Sequence, residues 1–308
     1  MLRRLRSKGM NSRRCAHVVA TAAITALAVS APPVIAQVSS DGATALVPVN
    51  GHAMRVRISG LANRRSGQPV IVLEGGALQS IDTWNPVFDR IAALAPVIAY
   101  DRRGIGRSEF DESQQTLAHV NESLHSLLAA VNAPPPYVLA GHSYGGVLIR
   151  SFARQYPAEV AGLVYLDAPD TDLTAADLNA VSPDALRLLR SELDGLPPAL
   201  PAGMRAELDA IRHLMNDFAE LNAVRPPAGI PAAVVVAAGK VEQVSDPVER
   251  SIRGGILRVQ IRHEQEWALS SPQGLFVVTR RGGHNVHQDN PELTVSAIQH
   301  VLASIAAR

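Results

Sequence analysis

A strand that runs directly into a glycine-rich turn is the feature that most constrains the fold of this chain. Residues 137–140 are apolar and suit a buried strand, and Gly141-His142-Ser143-Tyr144-Gly145 follows at once, ahead of a helical pattern that reaches residue 156. Glycines on both sides of Ser143 let a strand and a helix approach closely without a Cβ clash. The segment therefore predicts a strand, a sharp turn and a helix, with the Ser143 side chain presented at the turn.

Strand patterns alternate with helical patterns along the rest of the chain. The predicted strands are residues 45–49, 53–58, 69–73, 96–100, 137–140, 160–166, 232–237 and 274–279. The predicted helices are residues 83–94, 116–131, 145–156, 257–269 and 291–306. The first two strands flank Asn50-Gly51, a strong hairpin signal. This order predicts a mostly parallel sheet covered by helices on both faces.

One stretch interrupts the alternation. Residues 168–228 have no strand pattern and contain amphipathic helical segments at 173–178, 182–193 and 204–221. Reactive groups of parallel sheets gather beyond the C-terminal ends of the strands. We therefore expect residues 168–228 to form a helical cap insertion over that edge. Its apolar faces carry Leu, Ala, Ile and Met, which predicts an apolar pocket beneath it.

The N-terminal 36 residues have the pattern of a secretory signal peptide. Six basic residues precede an apolar run at residues 18–31, and Val34-Ile35-Ala36 places small residues at a cleavage site. The run is short for a membrane span. Translation could start at Met1 or Met10, and Ser12-Arg13-Arg14 only weakly resembles a twin-arginine signal. We expect an exported, periplasmic or secreted protein whose folded domain is residues 37–308.

Removal of this segment changes the electrostatic character of the chain. The remaining 23 basic and 28 acidic residues give a formal charge of −5, whereas the whole chain carries +1. With this charge balance, nothing suggests nucleic acid or an anionic membrane surface as a partner, and we expect neither. The only cysteine, Cys15, lies in the removed segment, so cysteine chemistry is excluded as well.

Three motifs resemble the α/β-hydrolase family, in addition to the turn at Ser143. They are Leu73-Glu74-Gly75-Gly76, the run Asp101-Arg102-Arg103-Gly104-Ile105-Gly106-Arg107-Ser108, and Gly283-His284 followed by Asp289-Asn290-Pro291-Glu292. The resemblance spans residues 44–306 and implies the α/β-hydrolase fold. Glu74 departs from the histidine usual in the family at that position.

Ser143 and His284 are the predicted nucleophile and general base. The Gly-x-Ser-x-Gly pattern between a strand and a helix is typical of a nucleophile elbow, and His284 follows a strand and two glycines. His287, three residues on, is the rival base. Its pairing with Asp289 would suggest a metal site instead, but no further ligand cluster accompanies the pair. We therefore expect no metal and no cofactor, a packing role for His142 and a plain loop position for His287.

The carboxylate that would orient His284 has two candidates. Asp167 ends the strand at residues 160–166, and Glu242 follows the strand at residues 232–237, the position usual in this fold. We favour Asp167, because a strand end holds a side chain more firmly than a loop does. By resemblance, the oxyanion hole comprises the backbone N–H groups of Tyr144 and Gly76, with Gly75 as the second choice for the latter.

These residues predict a serine hydrolase that cleaves an ester or related acyl bond of a small molecule through an acyl-enzyme. A cofactor-free haloperoxidase or a peptidase would use the same groups. A binding protein that keeps the fold without catalysis is the alternative of another class. The elbow carries no aspartate, which argues against a haloalkane dehalogenase or a typical epoxide hydrolase.

Overall fold

The structure is a computed structural model that describes residues 41–191, 199–216, 218–224 and 229–308. The predicted signal peptide, residues 1–36, lies outside the described residues. The strands are β1 (Asp41–Val49), β2 (His52–Ser59), β3 (Val70–Glu74), β4 (Val97–Tyr100), β5 (Tyr137–His142), β6 (Val160–Leu166), β7 (Ala232–Ala237) and β8 (Leu275–Thr279). The helices are α1 (Phe88–Ala92), α2 (Leu117–Ala130), α3 (Tyr144–Gln155), α4 (Ala175–Val181), α5 (Ala185–Ser191), α6 (Ala202–Asn216), α7 (Phe218–Ala223), α8 (Gly239–Glu242), α9 (Pro247–Ser270), α10 (Val286–Asp289) and α11 (Pro291–Ala306).

The described strands form one sheet in the order β1-β2-β4-β3-β5-β6-β7-β8. Strand β2 pairs antiparallel with β1 and β4, and every other pairing is parallel. The predicted hairpin forms at Asn50-Gly51, whose φ values of 48° and 85° suit the tight turn that joins twisted strands. The predicted mostly parallel sheet is confirmed.

Helices cover both faces of the sheet because its central strands are apolar on both sides. In β5, Tyr137 and Leu139 join one buried cluster and Val138 and Ala140 join another, as the two-residue period of a strand requires. The first cluster includes side chains of α2, α3 and α9, and the second includes side chains of α1 and α11. The sheet is therefore the middle of three layers.

Helix α9 is longer than predicted, since it begins at Pro247 rather than near residue 257. Asp246 caps its N-terminus by accepting from Glu249 N–H, and the pair Gly254-Gly255 within the helix weakens the sequence pattern. Within this helix, the Glu264 side chain faces the protein interior. This side chain is only 2% exposed, and burial raises its pKa to about 8.

Between β6 and β7 the structure has helices α4 to α7 and, within its described part, no strand. Residues 192–198, 217 and 225–228 of this stretch lie outside the described residues. The short helices α8 and α10, which follow β7 and β8, were not predicted. No helix in the described ranges is long and apolar enough to cross a membrane.

Candidate active site

Ser143 lies in a strained turn between β5 and α3. Its φ of 50° and ψ of −125° are rare for a residue with a side chain. The turn needs glycine at its flanks: a Cβ on Gly141 would lie 2.4 Å from Gly145 O, and one on Gly145 would lie 2.4 Å from Glu74 O. The turn therefore directs the Ser143 side chain away from the sheet and into a cavity that it helps to line.

Asp167 and His284 meet beside this turn. Asp167 follows β6 directly, and its carboxylate Oδ2 accepts a hydrogen bond of 2.6 Å from His284 Nδ1. Asp167 is fully buried, whereas the His284 side chain is 46% exposed and lines the same cavity as Ser143. With Nδ1 donating to the carboxylate, His284 Nε2 remains free to accept a proton.

Lys240 forms a second contact with Asp167 that the sequence analysis did not foresee. Its Nζ lies 2.9 Å from both carboxylate oxygens, and the Oδ1 atom also accepts from Ala237 N–H. Burial raises the pKa of Asp167, but the Lys240 charge and the bond from His284 outweigh burial, so the net pKa lies below its ordinary value. Asp167 is thus held as a carboxylate by three donor groups.

Glu242, the alternative acid, lies elsewhere. Its carboxylate accepts from Arg280 Nε at 2.6 Å, and its side chain is 51% exposed. Of the two candidate acids, only Asp167 contacts His284 in the described structure.

Two further histidines surround His284 but are buried. His142 Nε2 donates to the His284 backbone carbonyl at 2.9 Å, and the His287 ring packs 4.5 Å from the His142 ring and 4.6 Å from Trp84. Burial lowers the pKa of His287 to about 3 and holds that of His142 well below its ordinary range. The expectation of a plain loop position for His287 is wrong, because this residue is a neutral core side chain.

No group of three or more potential ligands that could hold a metal occurs in the described ranges. The alternative pairing of His287 with Asp289 is not formed. His287 Nε2 is hydrogen-bonded to Thr83 Oγ1 at 2.6 Å, while Asp289 Oδ2 accepts from Gly283 N–H and holds the loop that carries His284.

The cavity beside Ser143 and His284 has a volume of about 450 Å³, a size typical of small-molecule sites. Apolar side chains of α5, α6, α7 and α9 supply much of its wall: Leu189, Ile211, Leu214, Leu221, Ile256 and Leu257. Four ionisable side chains of Asp, Lys and Arg also line it, and each is hydrogen-bonded to an ionisable partner within the protein. The pairs are Asp167 with Lys240, Asp170 with His263, and Arg253 with Glu249.

Of the two predicted oxyanion donors, the Tyr144 N–H is unpaired among the described residues and the Gly76 N–H is already hydrogen-bonded. Tyr144 begins α3 and lines the cavity, and its N–H belongs to the first turn of the helix, which leaves backbone donors unpaired. The Gly76 N–H instead donates to the Gln79 side-chain Oε1 at 2.9 Å. The expectation for Gly76 is therefore corrected: its donor is already engaged, and Ala77 is the residue of this loop that lines the cavity.

A buried ion cluster lies behind the same loop. Arg102 binds Glu74, the residue that departs from the usual histidine, and Glu207 of α6, and all three side chains are at most 4% exposed. Tyr100 Oη donates to the other oxygen of Glu74. Burial raises the pKa of Glu74, against the opposing effect of Arg102. A charged residue at position 74 in a run of apolar strand residues was the sequence signal for this cluster.

Comparison with known proteins identifies the fold. The model of the alpha/beta hydrolase family matches residues 71–297. An uncharacterized protein, YqjL of Bacillus subtilis (strain 168), is 25% identical over 231 residues, which cover 75% of this chain and 82% of YqjL.

Among solved structures, an epoxide hydrolase variant from Vigna radiata superposes with a TM-score of 0.62 at 16% identity, covering 86% of this chain and 99% of that one. Cfl2 from Burkholderia cenocepacia superposes with a TM-score of 0.56 at 18% identity, covering 83% and 94%. The fold expected from the sequence is thereby confirmed.

Proposed function

The chain belongs to the alpha/beta hydrolase family, and from this membership and the geometry of its site we propose that it is a serine hydrolase. It cleaves a carboxylic ester or related acyl bond of a small molecule through an acyl-enzyme. The observation that carries the proposal is the 2.6 Å bond between Asp167 and His284, beside a strained Ser143 in one shared cavity.

The mechanism follows from these three side chains. Ser143 Oγ attacks the acyl carbon while His284 Nε2 takes the hydroxyl proton, and Asp167 stabilises the imidazolium that forms. Collapse of the tetrahedral intermediate breaks the acyl bond, and His284 returns the proton to the leaving alcohol. Water then attacks the acyl-enzyme with His284 again as the base, which releases the acid and restores Ser143.

The elbow residue separates this proposal from the activity of the structural neighbour from Vigna radiata. Ser143 occupies the turn at which the sequence resemblance would require aspartate for a typical epoxide hydrolase. A serine at this position forms an ester with an acyl substrate, which water can hydrolyse with a neighbouring histidine as base.

The cavity supports an uncharged, largely apolar acyl group. Asp167 and Arg253 are paired with opposite charges within the protein, and Asp170 is hydrogen-bonded to His263, so these residues offer little free counter-charge to an anionic or cationic substrate. Burial of apolar substrate surface against the leucines and isoleucines of the wall would provide the binding energy. We expect esters of short or medium acyl chains to react faster than charged peptides or phosphoesters.

A serine-reactive fluorophosphonate probe tests the reaction class. We expect the folded protein to be labelled at Ser143, and Ser143→Ala to remain unlabelled. Turnover of p-nitrophenyl esters of graded chain length then tests the acyl preference. Turnover of p-nitroanilides tests the alternative of a peptidase. Absence of labelling in folded protein would favour a binding protein without catalysis. Export remains a prediction of the sequence, tested by whether the mature protein begins at or near Gln37.

A further inference from the structure

The Arg102 side chain uses all five of its N–H donors in the buried cluster. Two bonds, from Nε and Nη2, go to the Glu207 carboxylate at 2.7 and 2.8 Å, and one from Nη1 goes to Glu74 at 2.6 Å. The remaining two bind backbone carbonyls, from Nη1 to Gly75 O at 2.8 Å and from Nη2 to Gly76 O at 2.7 Å. Arg102 therefore fixes two successive peptide groups of the loop as well as two carboxylates.

The direction of these carbonyls determines where the loop's N–H groups point. In a planar trans peptide the N–H points opposite to the C=O of the same unit. The Gly75 carbonyl faces Arg102, and accordingly the Gly76 N–H faces away, where it meets Gln79 Oε1. By the same rule the Gly76 carbonyl faces Arg102, so the Ala77 N–H points away from the cluster.

Ala77 is the residue of this loop that borders the cavity, together with Ser143 and Tyr144. Across the described ranges, neither the Ala77 N–H nor the Tyr144 N–H has a hydrogen-bond acceptor in the protein. Two unpaired backbone donors thus border the space next to Ser143. An oxyanion hole needs such a pair of donors.

Glu207, which belongs to the helical insertion, binds the C-terminal part of the same loop. Its Oε1 accepts the Leu78 N–H at 2.6 Å, and Leu78 has a φ of 60°, a strained value for a leucine. Such a conformation persists only where surrounding contacts hold it. A carboxylate on α6 therefore holds both Arg102 and the backbone on the C-terminal side of Ala77.

We propose that Arg102 and Glu207 are positioning residues that hold residues 75–78 so that the Ala77 N–H serves as the second oxyanion donor. This inference rests on the proposed serine hydrolase activity. It makes helix α6 part of the machinery that stabilises the transition state, and not only a wall of the cavity. Glu74 supports the arrangement from the strand side by binding Arg102.

The donor is tested by a pair of variants at Ala77. Ala77→Pro removes the N–H and Ala77→Gly keeps it. Loss of one oxyanion donor lowers kcat by about 10²–10³-fold. We expect that loss for Ala77→Pro with p-nitrophenyl butyrate, with KM within about twofold of the parent protein. Ala77→Gly retains the donor and should lose much less of kcat than Ala77→Pro does. Circular dichroism and thermal unfolding establish that each variant is folded.

The positioning role is tested by Glu207→Gln, with Asp209→Asn as the matched control on the same helix. Asp209 is exposed and pairs with Arg212 of its own helix. We expect Glu207→Gln to lower kcat at least about tenfold, with KM nearly unchanged, and Asp209→Asn to leave both constants unchanged. A trifluoromethyl ketone, which forms a tetrahedral oxyanion adduct with serine, provides the second readout. Its inhibition constant should rise by the factor by which kcat/KM falls.

Unchanged kcat and inhibitor affinity in folded Glu207→Gln would overturn the positioning role, and unchanged kcat in folded Ala77→Pro would overturn the donor assignment. The two variants at Ala77 leave the ion cluster intact. The donor assignment can therefore still be tested if Glu207→Gln fails to fold. Fluorophosphonate labelling of the parent protein distinguishes a failure of the proposed function from a failure of the present inference. If the parent is not labelled, the proposed function fails. If it is labelled and the variants behave like the parent, only the present inference fails.

Discussion

Lys240 Nζ lies 2.9 Å from both carboxylate oxygens of Asp167, the same carboxylate that accepts a hydrogen bond from His284. Lys240 lies in α8, directly after β7, near the position where the fold usually carries its acid. In this chain the end of β7 carries Lys240 instead of an acid, and the acid, Asp167, follows the neighbouring strand β6. The two strand ends together form a partly buried ion pair next to His284.

The first prediction concerns Asp167 as the orienting acid. Asp167→Asn keeps the size of the side chain but removes the charge that would stabilise the His284 imidazolium. In the serine protease triad the corresponding change lowers kcat by about 10⁴-fold, and we expect a loss of that order. Glu242→Gln is the matched control and should leave kcat unchanged, because Glu242 pairs with exposed Arg280. The reverse pattern in p-nitrophenyl ester turnover would assign the role to Glu242.

The second prediction concerns the acid stability that the Lys240–Asp167 pair provides. Because the folded-state pKa of Asp167 is lowered, its contribution to stability is present above its ordinary value of 3.8 and is lost as the pH falls through the folded value. Lys240→Met removes the largest lowering influence and leaves burial, which raises this pKa. We expect the midpoint of acid unfolding, followed by near-UV circular dichroism, to move to higher pH.

Arg280→Met is the control for this experiment, since it breaks an ion pair of similar composition at the surface. The Arg280 side chain is 78% exposed, and exposed pairs contribute little to stability. Its acid-unfolding midpoint should match that of the parent protein. A Lys240→Met midpoint equal to that of the parent would contradict the account given for Asp167.

The residues that sequence reasoning located share a local signal. Ser143 is marked by flanking glycines, and Asp167 and His284 follow the ends of strands that their own hydrophobic patterns define. Arg102 and Glu207 carry no such signal, because their contact joins residues 105 positions apart in the chain. Sequence could place the loop at Gly76, but the orientation of its donors depends on the side chains that bind it, Gln79 on one side and Arg102 on the other.

The third prediction concerns the buried ring of His287. Its pKa is lowered to about 3 by burial first and by His284 second. Between pH 3 and its ordinary value of 6.5 the unfolded chain binds a proton that the folded protein does not, so stability falls as the pH decreases across this range. The slope from one such group reaches about 1.4 kcal/mol per pH unit.

His287→Phe keeps a ring against Trp84 and removes this titration. We expect the free energy of unfolding in urea to depend less steeply on pH between about 4.5 and 6.5, the upper part of that window, than in the parent protein. Part of the slope should remain, because His142 is also buried with a lowered pKa. The control is Leu269→Ala, at a position of α9 that is 75% exposed; it removes no titratable group, so its slope should equal that of the parent. An unchanged slope in His287→Phe would show that His287 does not titrate as described.

The fourth prediction concerns the space at the elbow. The Cβ of Gly145→Ala would lie 2.4 Å from Glu74 O and 2.7 Å from Gly75 O, both backbone atoms that cannot rotate aside. Either the elbow or the loop behind it must move, and overpacking of this kind costs about 1–3 kcal/mol. We expect Gly145→Ala to be destabilised by that amount in urea and to react more slowly with a fluorophosphonate at Ser143.

Gly254→Ala provides the control, because Gly254 lies within helix α9 and the atoms nearest to an added Cβ are 3.7 Å away or more. Alanine in a helix interior is more favourable than glycine by about 0.5–1 kcal/mol. Gly254→Ala should therefore be stabilised by that amount and should react at the parent rate. Parent-like stability and labelling in Gly145→Ala would show that the elbow and the loop behind it are not packed as closely as the structure describes.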